Sequence, residues 1–192
     1  MQNNLVMIIY KSLFPHRDVF SGSSAIVYST LVSYSLFEYG QVFDCDGNFD
    51  IDLVQMYLDD CKDEYGRSYI EVPYYTCSTI TESMEMSERN VRYVLKDLRS
   101  RDFLVGDYIY CPLNLIKGGY VKIVKGTDLK GWQLVFYSLL KERADYFGGS
   151  INTWTSTLAK MFSTTKSNAK MLISILKKKG YVYRSGGRLY VR

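Results

Sequence analysis

The chain has 192 residues, is 47% hydrophobic and 23% charged, and carries a net charge of +4. This is ordinary globular composition, enough for one large domain or two small ones, and it excludes disordered and fibrous classes. No apolar run approaches the ~20 residues needed to span a membrane, and residues 5–10 lack the basic start and cleavage site of a signal peptide, so the expectation is a cytoplasmic protein with no membrane partner.

Taken in chain order, residues 5–10 read as a strand, and Pro15 and the Ser-Gly-Ser-Ser run at 21–24 interrupt the chain. Ser23 or Ser24 then caps a helix whose apolar side is Ile26, Val27, Leu31, Tyr34 and Leu36 or Phe37. Residues 44–52 superficially resemble a calcium loop. Counted from Asp44, however, the sixth position is Phe49 where Gly makes the sharp turn, and the twelfth is Gln55 where Glu binds through both oxygens. An acidic turn is the better reading, and no metal site is expected. Ile51, Val54, Tyr57, Leu58 and Cys61 make a short amphipathic helix, 63–66 a turn and 69–73 a strand.

Residues 76–112 are the most informative stretch. A short helix buries Ile80 and Met84, and a tight turn follows through Glu85 and Met86. Ser87 is a good N-cap, with Glu88 suited to the positive end of the helix dipole. Val91, Val94, Leu95 and Leu98 recur at helical spacing, which turns Arg89, Asn90, Arg92, Tyr93 and Lys96 outward. After Asp102 the period changes to two, and 103–105, Gly106-Asp107 and 108–110 form a hairpin.

The order then repeats. Residues 120–124 read as a strand, and Asp128 caps a helix with Trp132, Val135, Phe136, Leu139 and Leu140 inward. Residues 150–152 form a strand, and Thr153 caps a helix holding Leu158, Met161 and Phe162. Thr165 caps the next, which buries Ala169, Leu172, Ile173 and Leu176 and presents Lys166, Ser167, Asn168, Lys170, Met171 and Ser174. Lys177, Lys178, Lys179 and Gly180 close it. Residues 181–184 and 188–192 make a second hairpin around Gly186-Gly187, with Arg184 and Arg188 flanking the turn.

An offset of 78 carries Ile80 to Leu158, Met84 to Phe162, Ser87 to Thr165, Asn90 to Asn168, Val94 to Leu172, Leu98 to Leu176 and Phe103 to Tyr181. A repeat kept in register over two helices is stronger evidence than either copy alone. The first helices align at an offset of 108, so the first module holds about thirty extra residues, near 40–73. The expected fold is α+β, mainly α, with two tandem winged helix-turn-helix domains. These are 1–117, carrying the acidic insertion, and the basic 118–192.

Charge is divided unevenly. Residues 1–125 hold 12 bases and 17 acids, and 126–192 hold 12 bases and 3 acids. Residues 38–71 alone hold ten acids and two bases. The basic module suits a phosphate backbone. The acidic flap can repel DNA, contact the basic module, or bind a second copy or another protein. Cys45, Cys61, Cys77 and Cys111 form no CxxC pair, and His16 is the single histidine, so reduced thiols are expected and zinc is not. No phosphate loop is present and no hydrolytic triad can be built; neither an enzyme nor a cofactor is expected. Arg and Asn can pair with guanine and adenine through two bonds each, while Lys and Ser commonly hold phosphates. The candidate DNA-binding residues are therefore Arg89, Asn90, Arg92, Tyr93, Lys96, Lys166, Ser167, Asn168, Lys170, Lys177, Arg184 and Arg188.

The capped apolar helix, the strand at 69–72 and the run TITESMEMSERNVRYVLKDLRSRDFLV resemble the N-terminal winged helix of plasmid and phage replication initiators. The second copy extends the likeness to tandem winged-helix initiators. The resemblance implies binding to double-stranded DNA at repeated origin sequences, often with repression of the protein's own promoter. It sets Arg89, Asn90 and Arg92, and Lys166, Asn168 and Lys170, on recognition helices. The acidic insertion and the short length depart from that family. The alternative is a tandem winged-helix interaction module like the segregation-and-condensation B subunit, which has no need of a basic face.

Overall fold

The computed structural model describes residues 6–39, 50–73, 77–84 and 86–192. The calcium-like stretch 44–49 and Glu85 of the expected turn lie outside them. The architecture is α+β and mainly helical, with small antiparallel sheets. It divides into two compact units. The first holds the residues up to Ser12 and Ser23–Tyr120, and the second holds Leu13–Gly22 and Val121–Arg192.

Strand β1 (Ile8–Tyr10) of the first unit leads through a 3-10 turn (Lys11–His16), most of which belongs to the second unit, to α1 (Gly22–Tyr39), which belongs to the first unit from Ser23 onward. Helix α1 is apolar on nearly every side: Ala25, Ile26, Val27, Tyr28, Leu31, Val32 and Leu36 are all buried. It starts ahead of both expected caps. Ser24 lies within it and donates instead to Asp97 Oδ2 at 3.2 Å. Of the two alternatives for the last inward position, Leu36 is the buried one and Phe37 is 59% exposed. The Ile8 N–H donates to Thr30 Oγ1 at 3.2 Å and Tyr10 N–H to Ser29 Oγ at 3.1 Å, so buried helix hydroxyls satisfy the strand's backbone donors.

Helix α2 (Ile51–Asp60) is capped by Asp50, which accepts from the Asp52 and Leu53 N–H groups, and it buries Val54 and Leu58. Asp63 accepts from the Tyr65 and Arg67 N–H groups and builds the turn that follows. Ser68 Oγ donates to Leu58 O at 2.8 Å, tying the insertion to β2 (Tyr69–Glu71). Next come α3 (Cys77–Met84), α4 (Glu88–Ser100), the hairpin β3 (Leu104–Val105) and β4 (Tyr108–Tyr110), and α5 (Leu113–Lys117). The sheet order is β2-β4-β3, with Tyr69 opposite Tyr110 and Leu104 opposite Ile109. Tyr28 bridges helix and sheet: its hydroxyl donates to Tyr110 O at 2.6 Å and its ring meets Phe103 edge-on at 5.2 Å.

Strand β5 (Tyr120–Lys122) leads into the second unit, which continues through α6 (Gly131–Tyr146), β6 (Ser150–Ile151), α7 (Thr155–Met161), α8 (Lys166–Lys178), β7 (Val182–Ser185) and β8 (Arg188–Val191). Its sheet order, β6-β8-β7, has the same form as that of the first unit. The Val124 N–H donates to Ser138 Oγ at 3.0 Å, and Ser138 is the residue 108 positions after Thr30, which accepts from Ile8 N–H in the first unit. Two expected caps are absent here. Asp128 stands clear of the start of α6, held by Lys179 and Tyr181, and Thr153 stands two residues before α7; neither helix has a side-chain cap. Phe162 is the centre of the core, with Phe14 and Phe136 at 4.9 Å and Trp132 at 6.0 Å between ring centroids. Trp132 is half-buried, because its Nε1–H reaches out to Phe20 O at 3.1 Å. Met161 and Ile173 are half-buried too, at the edges of their helices.

Candidate nucleic-acid interface

The two helix pairs are built alike, residue for residue. Ser87 caps α4 by accepting from Asn90 N–H, and Thr165 caps α8 by accepting from Asn168 N–H at 3.1 Å. Before the caps, Met86 N–H donates to Thr81 O and Thr164 N–H to Ala159 O. After the helices, Phe103 N–H donates to Leu98 O and Tyr181 N–H to Leu176 O. The chain turns left-handed at Asp102 (φ 57°) and at Gly180 (φ 83°). Each bond recurs at the offset of 78, so both outward faces are set by one backbone design.

The faces differ chemically. The caps Ser87 and Thr165 are 78 residues apart, so positions 78 apart stand the same number of residues into their helices and, at 100° per residue, at the same angle from the helix start. In α4 the centre of the exposed face carries Arg89, Tyr93 and Lys96, with Tyr93 68% exposed. One flank holds Glu88, Arg92 and Arg99. There Glu88 pairs with Arg92 at 2.5 Å and cancels a charge. Asn90 is half-buried on the other flank. In α8 the centre is small and weakly polar over most of its length, with Ser167, Met171 and Ser174, and ends in Lys178. Its first flank holds Lys166, Lys170 and Lys177, within about 40° of one another by their spacing. These three lysines and Lys178 are exposed, and none forms an ion pair with a described residue. Asn168 is exposed on the opposite flank.

Helix α8 also breaks a rule that α4 obeys. A carboxylate suits the first turn because the free N–H groups there carry partial positive charge. Helix α4 has Glu88 in that turn, whereas α8 has no acid there and begins with Lys166. A cation at that end costs ~0.3–1 kcal/mol. No acid occurs after Asp145, while nine bases do.

The hairpins contrast in the same way. The first turns through Gly106 (φ 56°) and the acid Asp107, between exposed Val105 and Tyr108. The second turns through Gly186 and Gly187, both left-handed, between Ser185 and Arg188. Arg184 is exposed. Arg188 is anchored, its Nε–H donating to Ser150 Oγ at 2.9 Å. Tyr183 stacks on Tyr190 at 4.9 Å, with the Arg192 guanidinium 5.3 Å from its ring centroid.

Comparisons with protein-family models, with curated proteins and with solved structures find no match for this chain.

Among the described residues, no helix is long and apolar enough to cross a membrane. Sequence reasoning passed over three groups near these faces. Lys178 was visible as a helix-ending charge and is an exposed cation. Trp154, just before α7, is 81% exposed. Arg143 lies four residues before Phe147, a spacing legible on a helix, and its guanidinium sits 4.9 Å from that ring's centroid.

Proposed function

We propose that the chain binds double-stranded DNA through two winged helix-turn-helix units, in the manner of a replication initiator or a transcriptional regulator. In each unit a helix, a strand, two helices and a hairpin follow in order, with α2 inserted after the first helix of the first unit, and the strand before the helix pair pairs with the last strand of its sheet. This is the arrangement in which the second helix of the pair enters a major groove.

The observation that carries the reading is the lysine flank of α8, which forms no ion pair with a described residue and whose first member, Lys166, stands at the positive end of a helix with no acid in its first turn. Lys166 and Lys170 hold phosphates along one wall of the groove, while Ser167, Met171 and Ser174 face the base edges. Met171 suits contact with a thymine methyl. In the first unit Arg89 and Lys96 reach the bases, and Arg92 serves chiefly to steady the helix with Glu88. Affinity thus comes mainly from the second unit, while the first adds sequence discrimination.

Selection of bound duplexes from a random pool, sequenced after washing at rising salt, tests this. An enriched motif is expected, with binding that falls steeply in salt. Absence of binding at low salt would leave the two units as protein-contact surfaces. Whether the motif lies at an origin or at a promoter separates the two roles.

A further inference from the structure

The second unit contains a cleft of about 210 Å³ between the end of α6, the strand β6, the helix α7 and the turn end of β8. Two left-handed glycines build it. Gly148 and Gly149 end α6, and Gly149 N–H donates back to Ala144 O at 2.7 Å. The chain turns there, and Ser150 lines the same cleft as Arg143 and Phe147. Arg143 and Arg188 both line the cleft, and among the described residues no carboxylate does. Neither arginine forms an ion pair with a described residue. Arg143 lies over the Phe147 ring, and Arg188 is fixed by the buried Ser150 hydroxyl through one nitrogen, leaving its terminal N–H groups free. Asn152, Thr153 and Thr157 add neutral donors, and Phe147 and Met161 add apolar wall.

Two guanidinium groups without a counter-charge, surrounded by neutral donors, are the chemistry that recognises a phosphate. We propose that this cleft binds a phosphate group. The cleft is smaller than the usual 300–1,000 Å³ of drug-sized sites, so it suits a phosphate or a compact phosphate ester. The inference does not depend on the lysine flank of α8; it shares only Arg188 with the DNA reading, and Arg143 lies outside that reading.

The test is an NMR titration of the ¹⁵N-labelled full chain with inorganic phosphate, at an ionic strength held constant with chloride. Saturable shifts are expected at the Asn152, Thr153, Thr157 and Arg188 amides. Arg143→Gln is the variant of choice, because it leaves the Arg188–Ser150 bond and the strand pairing intact, and unchanged shifts elsewhere report its fold. It should weaken phosphate binding about tenfold or more, the loss expected when one charge-assisted bond is removed. Shifts confined to the α8 lysines without saturation, or an unchanged curve in Arg143→Gln, would overturn the proposal. A bound duplex separates the sources. If the DNA backbone fills the cleft, duplex blocks phosphate and Arg143→Gln weakens the duplex; if a free phosphate ester fills it, phosphate titrates equally with the duplex in place.

Discussion

At the residue scale, Asp128 accepts from Lys179 Nζ at 2.7 Å and from the Tyr181 hydroxyl at 2.7 Å. The Lys179 bond first, and then the Tyr181 bond, hold its carboxyl below the usual carboxylate range. A lowered folded-state value contributes stability that is present above the ordinary value and lost as pH falls through the lowered one. Melting of wild type and Asp128→Asn across acid pH should therefore give curves that converge as the carboxylate protonates; parallel curves would exclude the linkage. Gly22 illustrates a steric limit. A Cβ there would stand 2.3 Å from the Gly131 carbonyl carbon and 2.3 Å from the Trp132 nitrogen, both backbone atoms. Gly22→Ala should cost ~1–3 kcal/mol by overpacking, read as a lower denaturant midpoint with the slope unchanged. On the DNA reading, Arg89→Ala or Asn168→Ala should relax discrimination at single base positions by ~1–3 kcal/mol, measured on a panel of single-substitution duplexes. Equal losses on every duplex would assign those side chains to phosphates.

At the scale of elements, α8 sets stability against binding. Lys166→Glu should raise stability by ~0.3–1 kcal/mol, because a carboxylate suits the first turn, and should also weaken DNA binding. A solvated face with no ligand would show the first effect alone, so measuring melting and duplex affinity on one variant separates the readings. The starts of α4 and α8 were legible to the residue, since their caps Ser87 and Thr165 and the apolar stripes that follow them are local signals. The starts of α1, α6 and α7 were not. Ser24, Asp128 and Thr153 all look like caps, but Ser24 and Asp128 have partners far along the chain, and no local pattern reports those. The segment Leu13–Gly22 read only as a break, yet Phe14 packs on Phe162 and Arg17 donates to Ser163 O at 2.6 Å. Such contacts depend on tertiary pairing across more than a hundred residues. The arginine cleft escaped for the same reason, since its lining comes from four elements.

At the scale of the whole molecule, one backbone plan appears twice with opposite surface chemistry. The first unit carries the acidic insertion, a neutralised helix flank and an acidic hairpin turn. The second carries unpaired lysines and an arginine-flanked turn. Mean charge conceals this, because +4 is the small difference between two large and separate terms. The central claim is that the lysine flank of α8 meets the phosphate backbone. The most direct measurement is duplex affinity against salt concentration for wild type and for the Lys166→Ala, Lys170→Ala double variant. Weaker binding on every sequence, with a log–log slope reduced by up to ~2, is the predicted result. Unchanged affinity and slope would contradict it.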